Sequence, residues 1–221
     1  MFVEIVVTSV SEAKAAAQGG ADRLELLSGR KEGGMTPSLG LIDQVTKAVD
    51  IPVQVMLRTH AESFVYDEDD ITVMLRDLGT IKATSAAGIV FGGLNEDGGI
   101  DEETLQKIID RKGGLKLTFH RALDSAKNYE KAVRTLLDYD IDTLLTSGGA
   151  DDAIAGMDAI RDVRGVVESA GIECLAGAGL KPENIEQFCE KTGITHVHVG
   201  SGAKKDGVVD PETVKFIKRL K

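Results

Sequence analysis

Eight short runs of apolar and β-branched residues, each followed by a longer amphipathic stretch, constrain this 221-residue chain more than any other feature. The strand candidates are residues 3–7, 23–27, 52–57, 88–91, 115–119, 143–145, 172–175 and 195–199, recurring every 20 to 36 residues. The stretches between them carry helix signals. Ser9 and Glu12 form a capping-box pattern ahead of an alanine-rich run that stops at Gly19 and Gly20. Pro37 and Ser38 open a helix with Leu39, Ile42, Val45 and Val49 at helical spacing, and residues 69–82 repeat the pattern with Ile71, Met74, Leu75, Leu78 and Ile81. Asp101, Glu102 and Glu103 put acid at the next N-terminus, where the helix dipole favours it. Residues 129–137 and 151–167 supply two further helices, and Pro182 and Pro211 start the last two.

No linker or low-complexity tract divides the chain, so residues 1–221 are expected to form a single domain. Eight strand-then-helix units match an α/β (β/α)₈ TIM barrel, near the short end of the roughly 200 to 400 residues such barrels occupy. A doubly wound open sheet fits the same alternation. The strands favour the barrel. A parallel sheet covered on both faces reads as continuous apolar runs, whereas several strands here alternate polar with apolar residues.

That alternation carries functional information, because successive side chains on a strand point to opposite faces. With the apolar sets packed outward against helices, the interior collects Glu4, Arg23, Glu25, Gln54, Arg58, Lys116, Thr118, His120, His196 and His198. Buried charges need partners, so Glu4 and Glu25 are expected to pair with Arg23, Arg58 and Lys116, leaving a surplus cation. Arg23, Lys116 and His196, low in the barrel, read as structural pairs. Arg58, His120, Arg121, Asp124, Ser147 and His198 fall at strand C-terminal ends, where barrels of this type place their active sites. Glycine-rich turns after the seventh and eighth strands, with Gly177 and Gly179, then Gly200 and Ser201, offer backbone N–H groups to a phosphate. Lys204 and Lys205 nearby read either as helpers of that anion or as solvated loop charges.

The net charge of −10 argues against a nucleic-acid or anionic-membrane surface, though not against a small cationic pocket. Two cysteines, Cys174 and Cys189, are too few for a disulfide framework and lack the spacing of a zinc site. The first residues show no basic-then-apolar leader, and a cytoplasmic location is expected.

The segments ADRLEL, RKEGGMTPSLGLI, FHRALD, LTSGGADDA and LAGAGL, in this order, resemble the CutC family, whose members are named copper homeostasis proteins. The resemblance runs through essentially the whole chain. It implies a TIM barrel, a cytoplasmic location and a copper role, and it carries over Glu4, Arg23, Glu25, Arg58, His120, Arg121, Asp124 and Ser147 as a polar cluster at the barrel mouth. Relatives proposed to bind Cu(I) have cysteines where this chain has Val6, Val7 and Leu27, so no copper ligand carries over. Soft thiolates are what Cu(I) selects. A metal here would have to use His120, His198, Glu4 or Glu25.

Two functions follow as expectations. One is a copper-binding homeostasis protein. The other is an enzyme acting on a small phosphorylated or carboxylated metabolite, with Arg58 and the glycine turns holding the anion, His120 as general acid or base, and Glu4 or Glu25 as its partner. The expected partner is thus a small anionic ligand or a copper ion, and the sequence admits a homo-oligomer. A pure scaffold has no need of His120 at its mouth.

Overall fold

The structure, a computed structural model, describes residues 1–220; Lys221, the last residue of the expected domain, lies outside them. Eight parallel strands close into one barrel in sequence order: β1 (Phe2–Val7), β2 (Arg23–Leu26), β3 (Val53–Met56), β4 (Gly88–Phe91), β5 (Lys116–Phe119), β6 (Thr143–Thr146), β7 (Glu173–Gly177) and β8 (His196–Val199). Helices follow each strand: α1 (Val10–Gln18), α2 (Leu39–Ala48), α3 (Glu68–Lys82), α4 (Glu102–Lys112), α5 (Tyr129–Leu136), α6 (Met157–Ser169), α7 (Ile185–Thr192) and α8 (Pro211–Arg219). A small hairpin of β9 (Lys204–Lys205) and β10 (Val208–Val209) precedes α8. The eightfold alternation therefore closes as a TIM barrel, and the open sheet is set aside.

The outward strand positions, such as Ile5, Leu24, Val55, Phe91, Phe119 and Val197, are fully or almost fully buried against the helix ring. Each such side chain contributes roughly 1.5–3 kcal/mol on burial. A second, smaller apolar cluster of Val6, Leu27, Met56 and Val90 sits inside the barrel. These residues share strand parity with the polar interior set, so the interior is half apolar rather than uniformly polar.

Several local expectations are revised. Helix α6 begins at Met157 rather than at 151, because the Asp152 carboxylate accepts from the N–H groups of Ile154 and Ala155 and holds residues 151–156 as turns. Helix α7 likewise begins after Asn184, whose side chain accepts from the Lys181 N–H. Ser9 caps α1 by accepting from the Glu12 N–H, but Glu12 does not return the bond. Its carboxylate instead takes the Thr8 N–H at 2.8 Å and pairs with Lys204. Lys204 is therefore a buried tie between the last barrel loop and α1 rather than a solvated charge.

Lys116 does not point into a buried interior. Its ammonium lies 2.6 Å from Asp142, and the side chain is 65% exposed. His196 is only half-buried at the same end, its ring 4.9 Å from that of Phe2. The parity holds for both residues, but the first inward position of a four-residue strand sits at the open bottom rim. No helix among the described residues is long and apolar enough to cross a membrane.

Candidate functional site

Strand register builds the centre of the barrel. Glu4 on β1 stands level with Arg23 on β2 and His198 on β8, and Glu25 pairs one step higher with Val6. Arg23 Nε donates to Glu4 at 2.5 Å and its Nη2 reaches Glu173 at 2.9 Å. His198 Nδ1 lies 2.7 Å from Glu4, and its Nε2 lies 3.8 Å from Glu25. Burial alone would raise Glu4, but Arg23 and His198 outweigh it and bring that carboxyl down to about 2. Glu25 goes the other way. Burial, helped by the Glu4 charge and only partly offset by His198 and Arg23, pushes it up to about 7. For His198 burial disfavours the cation, yet Glu25 and Glu4 outweigh this and raise its pKa. Two carboxyls in one enclosure thus differ sharply: one is a fixed anion, the other changes charge near neutrality.

Above this cluster opens a cavity of about 310 Å³ at the C-terminal mouth. Its floor is Val6, Leu27, Met56 and Leu145 with Glu25 and His198, and its walls include Arg58, Phe64, His120, Arg121, Ala178, Gly179, Leu180, Gly200 and Ser201. Arg30 and Gly33 close it from the loop after β2. Gly33 has φ +92°, which favours glycine, and a Cβ there would crowd Arg58 Nη1 at 3.1 Å, so glycine lets this loop lie close against the guanidinium.

On the far side, the N–H groups of Gly179, Leu180, Gly200 and Ser201 donate to no acceptor among the described residues. Ala178 supports this loop in a left-handed conformation, φ +73°, that is uncommon for a residue with a Cβ. The two glycine turns also pack together, since a Cβ at Gly202 would sit on the Leu180 carbonyl oxygen.

Of the expected ligand-binding residues, Arg58, Arg121, Gly179, His198, Gly200 and Ser201 line the cavity, as do Glu25 and His120. Others do not. Glu4 lies beneath the floor. Arg23 borders a cleft at the opposite end of the barrel, and Gly177 packs against Leu145 and His198. Asp124 and Ser147 stand behind the wall. Asp124 accepts from Arg121 Nε, Thr146 Oγ1, Ser147 N, Ser147 Oγ and Gly149 N at 2.6–3.0 Å, while Ser147 Oγ also accepts from Arg121 Nη2 at 2.9 Å. These two residues hold Arg121 and the loop after β6 and do not line the cavity.

His120 is held in a single tautomer at the cavity wall. Its Nδ1 accepts the Ala122 N–H at 3.1 Å, which leaves the proton on Nε2. Burial and the nearby Arg58 charge, with a smaller part from Arg121, push its pKa down to about 3. A neutral imidazole with Nε2–H can donate but has no lone pair left for a proton. Residues that sequence reasoning missed include Arg30 and Phe64. Arg30 lies in the quoted RKEGG motif, whereas Phe64 had no signal beyond the length of its loop.

The sequence model of the CutC family matches residues 1–203 of this chain. The chain belongs to the CutC family. It is 38% identical over 206 residues to the human protein described as a copper homeostasis protein cutC homolog, an alignment spanning 93% of this chain and 75% of that one. A CutC family protein from Glaesserella parasuis is 35% identical over 211 residues, covering 95% and 86% of the two chains. The crystal structure of CutC from Streptococcus agalactiae superposes with a TM-score of 0.84 at 25% identity, covering 91% of this chain and 98% of that one. Phosphoribosyl anthranilate isomerase from Thermotoga maritima shares the fold, with a TM-score of 0.67 at 16% identity, covering 100% and 98%.

The copper connection in the family name can be tested against the side chains of this CutC chain. Cys174 faces outward into the core with its thiol pushed up to about 12 by burial, and Cys189 lies on α7. Val6 and Leu27 face inward and Val7 faces the helices, so no thiol reaches the mouth. Glu4, Glu25 and His198 each offer one atom within 4.8 Å of the others. That set is all carboxylate and imidazole, and its Glu4 is already satisfied by Arg23 and His198. These residues do not fit Cu(I), which selects soft sulfur ligands.

Proposed function

We propose that this CutC-family barrel is an enzyme that binds a small phosphorylated metabolite and moves a proton on it, with Glu25 as the proton carrier. One observation carries the proposal: four N–H groups without a protein acceptor, on the loops after β7 and β8, border the open mouth of a cavity whose floor holds Glu25, a buried carboxyl with its pKa pushed up to about 7. Backbone amides at these two loops suit a phosphate. A general acid–base group works best with a pKa near the working pH. Glu4 and His198 act on Glu25, the first by keeping a negative charge close, the second by balancing it.

Binding gives the direct test. Isothermal titration with inorganic phosphate and glycerol 3-phosphate is expected to show both bound, with Ser201→Asp, which adds a negative charge at the rim, weakening both by about tenfold or more. No binding of either probe to the wild type would overturn the phosphate reading. Anaerobic Cu(I) titration is expected to show no binding tighter than that of a His120→Ala/His198→Ala variant. A tight wild-type Cu(I) site lost in that variant would favour the copper function instead.

The Glu25 assignment also predicts a pH-dependent stability. Its folded pKa lies above the unfolded value, so its contribution is fully present below about pH 4.5 and is lost as pH rises through about 7. Glu25→Gln should therefore gain on the wild type as pH rises, by up to about 3 kcal/mol between pH 4.5 and 8.5. Urea denaturation across that range reads the difference, and a flat difference would place Glu25 at an ordinary pKa.

A further inference from the structure

We infer that Arg58 and His120 form a second anion subsite suited to a carboxylate, so that the ligand of this cavity carries a carboxylate at one end and a phosphate at the other. The subsite itself stands on its own observations. Only the two-ended ligand rests on the phosphate reading above.

Arg58 is 4% exposed, and no carboxylate pairs with it among the described residues. Its hydrogen bonds to carbonyl oxygens are two long ones, Nη1 to Gly34 at 3.5 Å and Nη2 to Ser63 at 3.3 Å; the neutral Tyr66 hydroxyl also lies against the guanidinium, and the buried Arg58 Nε has no partner. The guanidinium is stacked over the Phe64 ring at 4.5 Å. A buried cation without a counter-charge is costly, and here a ligand would supply the missing charge. His120 is 5% exposed, with Nδ1 committed to the Ala122 N–H and Nε2 without a partner. The same Phe64 ring meets the imidazole edge-on at 5.2 Å, which gathers both donors around one aromatic wall of the cavity. One fixed positive charge and one neutral donor match a planar monoanion, to which guanidinium binding is well suited.

The barrel order sets the spacing between the two ends. Strands β3 and β7 lie four apart in a closed ring of eight, so Arg58 and the amide-bearing turn at Gly179 face each other across the mouth. Between them lie the apolar floor of Val6, Leu27 and Met56 and the Glu25 carboxyl. A short phosphorylated carboxylic acid spanning the mouth would present its middle atoms to Glu25.

Matched probes test this by titration of the full chain: 3-phosphoglycerate against glycerol 3-phosphate, 4-phosphoerythronate against erythritol 4-phosphate, and malonate alone. At least one acid is expected to bind the wild type about tenfold or more tightly than its alcohol. Arg58→Met should erase that advantage while weakening the alcohol much less than the acid, and Arg58→Lys should keep part of it. No advantage for either acid in the wild type, or equal weakening of acid and alcohol by Arg58→Met, overturns the subsite and leaves the phosphate reading standing. If no phosphate ester binds but malonate does, in a manner lost in Arg58→Met, the phosphate reading falls and the subsite stands. If none of the five probes binds, both fall. The wild-type comparison needs no variant, so poor folding of Arg58→Met does not remove the test.

Discussion

Arg23→Met is expected to destabilise the protein by about 3–5 kcal/mol at pH 7, the range seen when one partner of a buried ion pair is removed. Arg23 and Glu4 have side-chain exposures of 8% and 1%, and Arg23 also reaches Glu173. Without the guanidinium, Glu4 keeps only His198 as a counter-charge. The loss should depend on pH in a definite direction. Glu4 has its folded pKa depressed to about 2, so its favourable contribution is present above its ordinary value near 4.5 and is lost as pH falls through 2. The gap between wild type and Arg23→Met should therefore be widest near neutrality and narrow below pH 4.5. Urea denaturation monitored over pH 3–8 reads both the size and the trend, and Arg23→Met/Glu4→Leu should recover much of the loss because no charge is left stranded. A gap that widens on acidification would sink the assignment of Arg23 as the main holder of Glu4.

The second large effect is expected from Asp124→Asn. The Asp124 side chain is 5% exposed and gathers five donors from Arg121, Thr146, Ser147 and Gly149. The amide keeps the shape but removes the charge and turns one acceptor into a donor facing donors. A buried group left unsatisfied costs about 1–3 kcal/mol, and more when charge is involved, so the variant should lose at least about 3 kcal/mol. The damage should be local first. Hydrogen exchange at the Ser147 and Gly149 amides should rise well above that of the barrel strands, and Arg121 should lose its fixed position on the cavity wall. Unchanged exchange at those two amides would mean that other contacts hold the loop after β6.

Much of the fold was legible in the chain because its signals are local. A proline at the start of α8, acid ahead of α4 and β-branched runs of four or five residues state their structure within a few residues. Helix starts at 151 and 182 were misread for the opposite reason. Asp152 and Asn184 chose side-chain-to-backbone turns that compete with the helix and leave no periodic trace. Strand parity also predicted which residues face inward, including Glu4, Glu25 and His198. Parity has no depth, however. It could not separate Lys116 at the open bottom from Thr118 one step above it, buried at 1% exposure.

Sequence by itself determined the eightfold alternation, the inward and outward faces and the membership of the polar set, since these follow from the period of two in a strand and the spacing of helix signals. The tertiary structure alone decided what each polar residue became. Register between strands far apart in sequence put Glu4 between Arg23 and His198, and that neighbourhood made it a fixed anion. Glu25, one step higher, with His198 only at 3.8 Å and the Glu4 charge beside it, has its pKa pushed up to about 7 by burial. Residues as similar as these two carboxylates diverge because electrostatic energy depends on distance and burial in three dimensions, and neither is written in the order of the chain.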